Sequence, residues 1–84
     1  MKRIVVDVHP FLLNQTIQVY NNEQLESEQK TFLYGIDKVI ATMCKTENIA
    51  EVNLKGSHSF TQRIRENILK DGRFEHMNIQ VNIL

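Results

Sequence analysis

Eighty-four residues carry ten basic and ten acidic side chains, so the diffuse positive field that supplies non-specific affinity for nucleic acid is missing from the chain as a whole. Hydrophobic residues make up 42% and charged residues 24%, a composition that folds rather than stays disordered. A chain this short buries only roughly 60 to 65% of its unfolded surface, which leaves a thin core and argues against a large enclosed catalytic cavity.

The expectation is one domain over 1–84. The single cysteine, Cys44, excludes an internal disulfide, and no basic start followed by an apolar run resembles a signal peptide. No apolar stretch approaches the roughly 20 residues needed to cross a bilayer, and the one long helical pattern carries Lys38 and Lys45. The expected setting is the reducing cytoplasm, with no membrane partner. Asn, Gln, Ile and Lys are plentiful while Trp is absent and Pro occurs once, a bias typical of low-GC bacterial genomes and their phages.

Arg3 to His9 alternates, with Ile4, Val6 and Val8 on one face and Arg3, Val5, Asp7 and His9 on the other, until Pro10 ends the strand. After a Phe11 to Asn14 connection, Thr16 to Asn22 puts Ile17 and Val19 on one face and closes on an Asn-Asn turn. The polar stretch 24–29 is compatible with a connection, a first helical turn or a short charged edge strand, and the edge strand is favoured.

From about Lys30 to Thr46 the residues Phe32, Leu33, Ile36, Val39, Ile40, Met43 and Cys44 recur with helical spacing, which predicts a helix. Ala50 to Lys55 alternates as a strand with Val52 and Leu54 inward, and Gly56 closes it. Ser57 and Ser59 then open a second helix, whose apolar stripe is Phe60, Ile64, Ile68 and Leu69 and whose stop is Asp71-Gly72. The last strand sets Met77, Ile79, Val81 and Ile83 against Asn78, Gln80 and Asn82.

A sheet covered by helices on both faces reads as continuous apolar runs, whereas these strands alternate. The predicted fold is therefore a two-layer α/β (α+β) domain: a mixed four- to five-stranded sheet in the order β-β-(β)-α-β-α-β, with two helices on one face. Right-handed crossovers place both helices on the same side if the sheet order is 3-2-1-4-5. This element order, with Asp7 late in the first strand and a Gly-containing turn after the strand at 50–55, resembles the core of the ribonuclease H-like and actin-like folds. The resemblance is one of architecture. A ribonuclease H-like nuclease needs clustered carboxylates for two metal ions, and here Asp7 and Glu51 fall at opposite ends of neighbouring strands, more than about 10 Å apart.

In such a sheet the carboxyl ends of the first and fourth strands meet at the topological switch point, where open α/β sheets place ligands. Asp7, His9, Gly56, Ser57, His58 and Ser59 would gather there, beside a helix N-terminus able to receive an anion; the same residues also read as an ordinary turn and cap. His9, His58 and His76 belong to separate elements, so no metal site is expected, and no cofactor motif is present. Cys44 lies in an apolar stripe and reads as core.

Arg63, Arg65, Lys70 and Arg73 concentrate positive charge on and just beyond the second helix, a candidate phosphate or acidic-partner patch that also reads as a solvated helix face. The uncovered sheet face offers a polar plateau that includes Tyr20, Asn53, Lys55, Asn78, Gln80 and Asn82, and the last strand offers a pairing edge.

The leading expectation is a non-enzymatic protein-binding module, a phage or mobile-element accessory protein that inhibits or scaffolds a larger partner or pairs with itself as a homodimer. A nucleic-acid role would use Lys55, Arg63, Lys70 and Arg73 with Tyr20. A small-ligand or enzymatic role would centre on the Gly56 to Ser59 turn with Asp7 and His9.

Overall fold

Alternating β-branched residues make the centre of the sheet. Ile4, Val6 and Val8 of β1 (Lys2–Val8) lie on one face opposite Val19 and Ile17 of β2 (Gln15–Asn21), to which β1 pairs antiparallel. In the computed structural model, which describes residues 1–10, 15–75 and 77–84, all five of these apolar side chains are fully buried. The expected 11–14 connection and His76 lie outside the described residues. Asn22, at φ 58°, turns the chain from β2 into β3 (Gln24–Thr31), which pairs antiparallel with β2. The stretch favoured as an edge strand is thus one, running two residues further than expected.

The first helix departs from the prediction at its start. α1 spans Ile36–Glu47 rather than beginning near Lys30, because β3 keeps pairing as far as Thr31, opposite Gln15. Gly35 then takes the left-handed conformation at the N-cap, with φ 77°, which glycine adopts without steric cost. Phe32 and Leu33, which fit the helical stripe by spacing, therefore sit in the entry segment, outside the helix.

β4 (Ile49–Gly56) runs parallel to β1, and α2 (His58–Lys70) follows it directly. A 3₁₀ turn (Gly72–Phe74) buries Phe74 and leads to β5 (Gln80–Ile83), parallel to β4. β5 is shorter than the alternation from Met77 predicts: Met77 to Ile79 precede it, and with them Asn78. The sheet order is β3-β2-β1-β4-β5, as predicted.

One continuous core joins the inner sheet face (Ile4, Val6, Val52, Leu54) to Ile36, Ile40, Cys44, Ile64 and Ile68 of the two helices. Both helices thus cover the same face, and the fold is the expected two-layer α/β arrangement. Within the predicted α2 stripe, Leu69 points away from the core and is 60% exposed, while Thr61 is buried in the first turn and donates its hydroxyl to the His58 carbonyl at 2.9 Å. No helix among the described residues is long and apolar enough to cross a membrane.

Candidate functional site

The parallel register sets Val8 beside Gly56, so the ends of β1 and β4 meet as the switch-point reading requires. Asp7 Oδ1 lies 3.6 Å from His9 Nε2, both side chains partly exposed. The Ser57 amide donates to the Val8 carbonyl at 3.0 Å. Ser57 occupies the N-cap, yet its side chain makes no capping bond. His58 and Ser59 are the first, exposed residues of α2.

Gly56 is accounted for by the backbone itself. Its φ is +112°, and a Cβ there would stand 2.1 Å from the Val8 carbonyl oxygen. The junction needs a glycine so that β1 can approach, whatever else happens at this end of the sheet.

The basic residues do not share a surface. Lys55 and Tyr20 belong to the sheet face opposite the helices, whereas Arg63 and Lys70 lie on α2, on the helical side. Arg73 is committed to carboxylates: it forms a forked pair with Asp71 and lies 3.5 Å from Asp37. The hydrogen bonds from Arg73 hold the Asp71 carboxyl down at about 2. Lys2, through its hydrogen bond, and Asn21 likewise lower Glu26 on the hairpin.

On the uncovered sheet face the polar side chains are occupied with one another. Gln18 donates to Glu28 at 2.8 Å and accepts from the Tyr20 hydroxyl at 3.3 Å. Arg3 stacks its guanidinium 4.5 Å from the Tyr20 ring centroid. Asn82 Nδ2 donates to both Glu51 Oε1, at 2.9 Å, and Asn53 Oδ1, at 3.0 Å, while Gln80 donates to Asn82 Oδ1. Asn53 is only 6% exposed, so its amide serves the sheet more than it serves a partner. Lys55 and Gln80 remain exposed, and Asn78 stands before β5 rather than within it.

Among the described residues the most exposed aromatic side chains lie elsewhere, outside the surfaces expected from the sequence. Phe32 and Tyr34, 61% and 90% exposed, flank Leu33 between β3 and α1. Beside them a groove of about 540 Å³ opens between the start of α1 and α2, lined by Pro10, Leu33, Tyr34, Phe60, Arg63 and Ile64 among others. The Arg63 guanidinium sits 5.9 Å from the centroid of the Phe60 ring. The available signal was the glycine that closes the Phe-Leu-Tyr-Gly run, since a glycine inside a helical pattern weakens the case for helix there.

Burial pushes the Cys44 thiol up to about 11, the state of a core thiol rather than a nucleophile. Glu51 pairs with Arg3 and Asp7 with Lys55, four positions apart along the strands, or about 13 Å at the usual strand rise. No group of three or more His, Cys, Asp or Glu residues able to hold a metal ion occurs among the described residues. The architecture therefore resembles a ribonuclease H-like core without that fold's carboxylate cluster. No protein-family model matches the chain, and no curated protein sequence matches it.

Proposed function

We propose that this protein is a non-enzymatic protein-binding module that inhibits or scaffolds a larger partner, engaging it through the Phe32 to Tyr34 corner and the adjoining groove. The observation that carries this reading is the 90% exposure of Tyr34 next to the 61% exposure of Phe32. Such side chains add little to folding where they stand. Burying a Phe-sized side chain against a partner is worth roughly 1.5 to 3 kcal/mol, and aromatic residues and arginine dominate interface hot spots. Leu33, Phe60 and Arg63 supply that setting on a framework fixed by the end of β3 and the start of α1. The residue composition supports a low-GC bacterial or phage origin, which selects the lysate to search.

The test is a tagged pull-down from a low-GC bacterial lysate, comparing the native chain with a Phe32→Ser, Tyr34→Ser double variant whose melting temperature is checked first. Stoichiometric recovery of one protein by the native chain, lost in the folded variant, is expected. Equal recovery by both overturns the assignment to this corner, as does recovery of none. Retardation of nucleic acid at low salt, where its electrostatic term is largest, would replace the reading with the nucleic-acid one.

A further inference from the structure

The two edges of the sheet differ in a way that decides which of them can meet its own copy. β3 exposes seven of its eight residues, Glu26, Glu28 and Lys30 among them. Charged side chains along an edge are a common device against strand addition. β5 reads Gln80, Val81, Asn82 and Ile83, with no charge.

Its backbone is also correctly disposed. The Leu84 amide donates to the Leu54 carbonyl at 2.8 Å, and Leu54 is in register with Ile83. In a parallel ladder this turns the N–H and C=O groups of the even residues toward β4, leaving those of Val81 and Ile83 on the free edge.

A groove of about 570 Å³ runs alongside that edge, where the apolar Leu69, Phe74, Met77 and Val81 share the lining with the charged Lys70 and Glu75. Leu69 stands 60% exposed at this groove.

We propose that β5 pairs antiparallel with β5 of a second copy around a two-fold axis at Asn82, joining the two sheets into one of ten strands and closing the two Leu69 grooves against each other. Val81 and Ile83 of one copy then exchange backbone hydrogen bonds with Ile83 and Val81 of the other. A second copy fits better than a foreign extended peptide. Four edge residues offer a peptide few bonds, whereas the two-fold brings an exposed Leu69 and its groove from each side and buries the same patch on both copies. The formal net charge of zero opposes no such approach. This contact is separate from the Phe32 to Tyr34 corner and stands or falls without it.

The experiment is sedimentation equilibrium of the full chain from micromolar to millimolar concentration, with Val81→Pro, Leu69→Lys and Tyr34→Ala variants shown to be folded by circular dichroism. Val81→Pro removes a free-edge donor while leaving the pairing to β4; Leu69→Lys charges the groove at an exposed helix position and serves alone if the proline variant does not fold. A dimer of twice 9.8 kDa is expected, weakened at least fivefold by each of these two and less than fivefold by Tyr34→Ala. A monomer throughout overturns the proposal, as does a dimer that either folded edge variant weakens less than fivefold, or one that Tyr34→Ala weakens as much.

Discussion

Gly56 approaches Val8 so closely that a methyl group on its α-carbon would lie 2.1 Å from the Val8 carbonyl oxygen. The same carbonyl accepts the Ser57 amide, so a shift of β1 to make room also loosens the entry to α2. Gly56→Ala combines a left-handed strain with a backbone clash and is expected to cost at least about 2 kcal/mol. Urea denaturation reads this directly; a loss below about 0.5 kcal/mol would contradict it.

Asn82→Ala removes the amide that serves both Asn53 and Glu51. Asn53, nearly buried, then loses the donor to its carbonyl oxygen, and leaving a buried acceptor unsatisfied costs about 1 to 3 kcal/mol. Exposed Glu28→Ala, at the other end of the same sheet face, is expected to change stability by less than about 0.5 kcal/mol. Thermal or urea unfolding of the two variants side by side gives the contrast.

The Cys44 thiol, buried and pushed up to about 11, is expected to react with a thiol reagent at neutral pH only as fast as the protein opens. In denaturant the same thiol should react at the rate of a free cysteine. Fast stoichiometric labelling of the native protein would contradict the burial described for α1.

Much of the architecture was legible because alternation sets the sheet's faces. Ile4, Val6, Val52 and Leu54 could face inward only if their odd-numbered neighbours on β1 and β4 faced away, and with one face polar the helices had a single side to occupy. The start of α1 was not legible by the same logic. Phe32 and Leu33 lie in phase with Ile36 and Val39 on a helical wheel, and periodicity cannot register that cross-strand pairing with Gln15 holds Thr31 in β3. The aromatic corner was missed for that reason. Leu69 and the late start of β5 share another cause: the 3₁₀ turn at Gly72–Phe74 sends Phe74 into the core, so Leu69 is not needed there. The switch-point residues were brought together as the strand order required, and Gly56 there has a backbone explanation that spacing alone does not reveal.

Asp71 titrates near 2 because Arg73 binds its charged form, below its ordinary 3.8. A depressed carboxyl stabilises the fold fully above its unfolded value and loses that contribution as pH falls through the folded one. The stability difference between the native chain and Asp71→Asn is therefore expected to be flat above about pH 5 and to shrink from pH 4 toward 2, and to be smaller in high salt because the pair is accessible to solvent. Urea midpoints measured across that range check the slope and its sign.

The most direct test of the central claim places a photo-crosslinking side chain at single positions, Tyr34→p-benzoylphenylalanine and Gln18→p-benzoylphenylalanine, and irradiates each in a low-GC bacterial lysate. Position 34 is expected to yield one discrete protein adduct, and position 18, within the hydrogen-bonded sheet face, none. An adduct from position 18 with none from position 34 would contradict the account and move the contact surface to the sheet.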